Sequence, residues 1–154
     1  MRPAAVLFIL ALLAILAFLG LFSGTSFLTD PSGGSHGLSV SILEGTPIDD
    51  FTLVGLFFVI AYGALPFLAI YGLFKLPRWR WTDPVNRWTG QSWSWSLTIM
   101  VGIILIVWIM VEVAYIGSPE GTPRSLQIIM ASLGAVLIAL AMLPGVRSYA
   151  KLTG

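Results

Sequence analysis

The chain has 154 residues, of which 57% are hydrophobic and only 10% charged, against about 25% charged in an ordinary soluble domain. A water-soluble core of this size could not hide that much apolar surface, so the surrounding medium is lipid, and the length suits one domain over residues 1–154. There is no cysteine and one histidine, His36, at a net charge of +1; this composition excludes disulfides, thiolate metal sites and CxxC redox chemistry, and it excludes a haem held by two histidines of one chain.

A bilayer core of about 30 Å needs about 20 apolar residues in a helix. Residues 4–22 are the first such stretch, apolar throughout except for Gly20. The stretch follows a short basic start, Met1-Arg2, and Gly24 and Ser26 offer small-residue cleavage positions. Its apolar core nevertheless exceeds the roughly 7–15 residues of a signal peptide, so an uncleaved anchor is expected. An outer loop follows over residues 23–46. Asp30-Pro31-Ser32-Gly33-Gly34 is turn chemistry. Residues 37–43 alternate weakly and read as a short strand or an interfacial segment. His36 lies between these parts, and a lone loop histidine is expected to be solvated rather than a sensor or ligand.

Thr46-Pro47 reads as an N-cap with proline at the first helical position, and Asp49 and Asp50 then occupy a first turn where the helix dipole favours them. The second span covers residues 51–74 and carries Gly55, Gly63, Pro66 and Gly72. Pro66 is expected to kink it or to break one of its hydrogen bonds. The loop over residues 75–93 holds Trp79, Trp81, Trp88 and Trp93, interleaved with Lys75, Arg78, Arg80 and Arg87. Rings with one wet edge belong at the headgroup level, where guanidinium groups attract anionic lipid and stack on indoles. Asp83-Pro84 reads as the start of a short surface helix. An ordinary aromatic belt accounts for this loop; the sharper alternative is a docking surface for a partner or for a specific anionic lipid. Nucleic-acid binding is not expected, because orientation alone requires these four cations.

The third span, residues 95–116, contains Glu112, the only Asp, Glu, Lys, Arg or His within a span. Glu112 lies five residues before Gly117, about 7–8 Å below the outer end of its helix. Trp108 is one turn inward on the same face, Tyr115 lies near that face, and Arg124 and Gln127 open the next helix. An intramembrane carboxylate suggests a proton or cation site, or a polar contact for a headgroup or quinone. Its shallow depth favours the alternative, a carboxylate paired with Arg124 or Gln127 that ties helices three and four together. Thr122-Pro123 repeats the capping device before the fourth span, residues 125–143, which ends or bends at Pro144-Gly145 and leaves a short basic tail.

Glu44-Gly45-Thr46-Pro47 and Glu120-Gly121-Thr122-Pro123 are the same tetrapeptide. A duplicated helical hairpin would produce this, but the remaining alignment is poor, and a cap arrived at twice is the preferred explanation. Gly55, Gly63 and Ala61 in the second span, and Ala131, Gly134 and Ala135 in the fourth, let helices approach closely. Arg2, Lys75, Arg78, Arg80, Arg87, Arg147 and Lys151 fall on one side of this arrangement and Arg124 alone on the other. The positive-inside rule then puts both termini and the middle loop in the cytoplasm.

Leu43-Glu44-Gly45-Thr46-Pro47 with Asp49-Asp50-Phe51, and Trp108-Ile109 with Glu112, Ile116-Gly117, Gln127 and Gly134 beyond, resemble small four-helix bacterial inner-membrane proteins with no assigned activity. That resemblance implies a fold and an inner (plasma) membrane location, and no chemistry. The expected architecture is all-α, an integral membrane four-helix up-down-up-down bundle. The expected role is non-enzymatic and without cofactor or metal: an accessory or scaffold subunit packing in membrane lipids, against a larger membrane protein complex or against itself. A small oligomeric transporter or channel using Glu112 is the alternative, and lipid or quinone binding near Trp108 and Glu112 a weaker one.

Overall fold

The computed structural model describes residues 2–118 and 120–151. Among these the chain is helical throughout and contains no strand; one isolated antiparallel bridge joins Gln91 to Lys151. The helices are α1 (Ala4–Thr29), α2 (Thr52–Lys75), α3 (Asp83–Thr89), α4 (Trp93–Ile116), α5 (Thr122–Met142) and α6 (Pro144–Ala150). Four of them, α1, α2, α4 and α5, are long and apolar enough to cross a membrane. Their outward faces are apolar as well: Phe8, Phe18, Phe22, Leu53, Met110 and Ile128 are each at least 60% exposed. Soluble monomers rarely expose contiguous apolar surface on that scale. This is the build of a multi-pass membrane protein.

The core follows from helical spacing. In α1, Val6, Ile9, Leu13, Leu16, Gly20, Gly24 and Phe27 are buried, three or four residues apart and therefore on one face. In α4, Trp93, Leu97, Val101 and Leu105 form a buried ridge four residues apart. These ridges meet Tyr62, Ala69 and Leu73 of α2, and Leu137 and Ala141 of α5. Glycines set the closest approaches. Gly20 lies on the Tyr62 backbone, Gly24 against Gly55, Gly72 against Ser94 and Trp93, and Gly102 against Gly134.

Several element boundaries differ from those expected. Helix α1 runs on to Thr29 rather than ending at Phe22. Thr25 Oγ1 donates to the Leu21 carbonyl at 2.7 Å and Thr29 Oγ1 to the Ser26 carbonyl at 2.9 Å, so these hydroxyls are satisfied on the helix itself and need not leave the apolar layer. Helix α2 begins at Thr52, not near Pro47. Thr46 Oγ1 instead donates to the Leu43 carbonyl at 2.8 Å, closing a turn. Asp50 accepts the Thr52 amide at 2.8 Å, and that amide holds its carboxyl below its ordinary range. Gly45 and Gly121 share the left-handed conformation, φ +85° and +93°, yet only the second tetrapeptide opens a helix, with Gly121 rather than Thr122 in the capping position.

In the outer loop, residues 37–43 form no strand; Val40–Leu43 is a 3₁₀ turn capped by Ser39. The Asp30 carboxyl is held down at about 2 by donors from Ser32 and Ser35. His36 is not simply solvated. Its ring lies 4.3 Å from that of Phe27, and its Nε2 is enclosed without a hydrogen-bond partner among the described residues.

Pro66 does not interrupt α2. The segment before it, Phe58–Ala64, is π-helical, and such a bulge is an established way of admitting a residue that lacks a backbone donor. The fourth span ends just before Pro144-Gly145, and the short basic segment after it is helical. Pro144 opens α6, whose Val146 and Ala150 are buried, and the Ser92 amide donates to the Ala150 carbonyl at 2.9 Å.

Candidate functional site

The expected polar site around Glu112 is only partly assembled. Gln127, in the second turn of α5, is 4% exposed, and it is the centre of the cluster. Its Nε2 donates to Glu112 Oε1 at 3.0 Å and to the Gly117 carbonyl at 3.1 Å, and its Oε1 accepts from Ser118 Oγ at 2.8 Å. Three of the four hydrogen bonds an amide side chain can make are thus formed. Glu112 itself is half-buried. Arg124 does not pair with it. Lying nearly a turn closer to the loop than Gln127, it donates to the Ser118 carbonyl at 2.9 Å and lies 3.8 Å from Glu120, an exposed pair worth about 1 kcal/mol at most. Tyr115 is 58% exposed and stands apart.

Trp108 packs on the aromatic rings of α2. Its ring stacks on Phe57 at 4.4 Å and meets Phe58 edge-on at 5.6 Å. Phe58 in turn contacts Phe27 and Tyr62, so the indole belongs to an aromatic core joining α1, α2 and α4. Tyr62 is 2% exposed, and its hydroxyl has no partner among the described residues. The sequence carries a signal for it, a phenol in the middle of a span, though not a charged one.

The 112–127 cluster is a hairpin clasp, and its energetics are testable. Gln127→Leu strands the Ser118 hydroxyl and the Gly117 carbonyl, and should cost about 2 kcal/mol. Glu112→Gln keeps an acceptor at the same place and should cost less than about 1 kcal/mol. Reversible unfolding of the purified chain in detergent measures both.

At the other grouping, Trp79 stacks on Trp93 at 4.9 Å and 13°, on Trp81 at 5.5 Å and on Tyr71 at 6.0 Å. Trp93 is buried, and its Nε1 donates to the Pro77 carbonyl at 3.1 Å. Trp95 Nε1 donates to the Ala141 carbonyl at 2.7 Å, which fixes that ring between α4 and α5. Trp81 and Trp88 face outward, and α3 starts at Asp83 as expected. The expected stacking of arginine on tryptophan is not formed by Arg80 or Arg87, and the Trp79 and Trp93 rings are stacked on aromatic neighbours instead. Arg2 lies 3.9 Å above the Phe74 ring, and Lys75 lies 6.0 Å from the same ring. Arg78, Arg80 and Arg87 are exposed.

Arg2 does more than orient the chain. Its Nη2 donates to the Phe74 carbonyl at 3.1 Å and its Nε to Tyr149 Oη at 3.3 Å, while that hydroxyl donates to the Leu73 carbonyl at 2.8 Å. A cation and a phenol thereby satisfy the last carbonyls of α2, the partners a helix C-terminus favours. The sequence marks Arg2 only as a charge.

Among the described residues, no three His, Cys, Asp or Glu side chains gather as metal ligands would. No protein family, curated protein or solved structure matches the chain.

Proposed function

We propose that this chain is a non-enzymatic, multi-pass component of a bacterial inner (plasma) membrane, an accessory or scaffold subunit that packs in lipid and against a larger membrane assembly. The observation that carries this reading is how the polar groups inside the spans are used. Gln127 is satisfied by Glu112, Gly117 and Ser118, so Glu112, the acid within α4, is committed to a clasp between α4 and α5 near their joined ends. Conducting or pumping sites need ionisable groups facing a cavity or one another, and the clasp weighs against a transporter built on Glu112.

The up-down-up-down arrangement with both termini in the cytoplasm is supported by three contacts: Arg2 with Phe74, Tyr149 with Leu73, and Lys151 with Gln91. These gather both ends of the chain beside residues 75–93, where the lysines and arginines lie, as the positive-inside rule requires. Retention of α1 as an anchor is supported by Val6, Ile9, Leu13 and Leu16, all with no exposed surface.

The natural lack of cysteine gives a clean topology test. In intact spheroplasts, Ser35→Cys should react with a membrane-impermeant maleimide and Ser148→Cys should react only after lysis. Affinity purification in a mild detergent should then return a stoichiometric membrane-protein partner. A clean, partner-free monomer would sink the subunit role, and reversed labelling would sink the orientation.

A further inference from the structure

A groove of about 420 Å³ opens at the corner between α3 and α4, lined by Trp88, Thr89, Trp95, Ser96, Ile99 and Ile103. We propose that it holds one acyl chain of an anionic phospholipid whose phosphate sits between Arg87 and Lys151. The inference rests on the membrane placement proposed above and is independent of the subunit role.

The groove is a built feature. Trp95 is pinned by its hydrogen bond to Ala141, so one wall is fixed before anything binds. Ser96, Ile99 and Ile103 recur at helical spacing and form a strip about 12 Å long from Trp95 to Ile103. The opposite wall is Trp88, which at 88% exposure is the most exposed of the large hydrophobic side chains. An indole left this open beside an apolar strip gains a partner only if something thin lies between them.

The groove's strip is apolar and belongs to a helix suited to crossing a membrane, and the apolar groups a bilayer brings to such a strip are acyl chains. Charge decides the headgroup. Arg87 immediately precedes Trp88, and Lys151 is held by the backbone bridge to Gln91, two residues beyond Thr89. Both are exposed, and neither has an ion-pair partner among the described residues. The one acid between residues 75 and 93 is Asp83. Two cations joined, by chain adjacency and by the Gln91 bridge, to the Trp88–Thr89 end of an apolar slot match a phosphodiester at the end of its acyl chain.

Native mass spectrometry of the detergent-purified full chain, titrated with phosphatidylglycerol or with phosphatidylcholine of the same acyl composition, tests this. The expected result is one retained phosphatidylglycerol, bound about tenfold more tightly than phosphatidylcholine. Arg87→Gln combined with Lys151→Gln should abolish that preference and leave the weak phosphatidylcholine binding unchanged. Ile99→Trp, which fills the slot, should remove retention of both lipids. Ile103→Trp serves as a second filling variant, each being compared with the unaltered chain by its melting temperature. Equal retention of the two lipids, undiminished phosphatidylglycerol binding in a folded filling variant, or a polypeptide seated at Trp88 in place of lipid would overturn the proposal. Failure of the membrane placement itself would look different: alkaline carbonate would release the unaltered chain from vesicles.

Discussion

Gly20→Leu should destabilise the chain by about 3 kcal/mol, more than any other single apolar substitution in α1. A Cβ at this position falls on the backbone of Tyr62, and backbone held in a hydrogen-bonded helix cannot step aside as a side-chain tip can. The only relief is separation of α1 from α2, which would also open the Gly24–Gly55 approach one turn further along. Dispersion contacts forfeited over a gap of even 1 Å fall off steeply, and in a membrane such packing carries much of helix association. The control is Gly45→Ala. There a Cβ meets nothing, but the left-handed φ of +85° costs about 1–2 kcal/mol. Unfolding in mixed micelles should rank the two in that order, and equal effects would show that the α1–α2 seam is not the limiting contact.

Trp93→Ala is expected to cost about 3–5 kcal/mol. The substitution removes the face on which Trp79 stacks, the donor to the Pro77 carbonyl, and the ring that fills the space beside Gly72. Trp88→Ala, five residues earlier by number and equally aromatic, should change stability by less than about 0.5 kcal/mol, since that residue is already 88% exposed. The two variants separate a structural indole from one that faces outward. Thermal unfolding followed by near-ultraviolet circular dichroism distinguishes them, because the stacked cluster dominates that signal.

The four spans are legible in the sequence because a run of about 20 apolar residues has few other uses. Which face of each span turns inward is not. Val6, Ile9, Leu13 and Leu16 form the core stripe of α1, but Leu7, Phe8, Ile15 and Phe18 on its outer face are just as apolar. With lipid outside, no polar face marks the core by contrast. For the same reason Gly20, Gly24 and Gly102 do not stand out as contact points. The end of α1 is missed because hydroxyls read as polar when their hydrogen bonds are local. At the clasp, the sequence offers Arg124 or Gln127 as the partner of Glu112 but cannot choose between them; the hydrogen bond is made by Gln127 and not by Arg124. The choice depends on where the Gly117 and Ser118 carbonyls lie: the first accepts from Gln127 and the second from Arg124. The Arg2–Tyr149 contact spans 147 residues of chain and has no local signature.

The π-helical segment of α2 sets a constraint of a different kind. On its N-terminal side Gly55 faces Gly24, and within it Gly63 faces Leu21, both on α1; beyond it Gly72 faces Ser94 and Trp93 of α4. One helix thus serves two neighbours by changing its phase partway along. The span is tolerant of which apolar residues it contains and intolerant of how many. Remove one residue between Gly63 and Gly72, and the second half swings by about 100°, carrying Gly72 off its partner however apolar the remaining sequence.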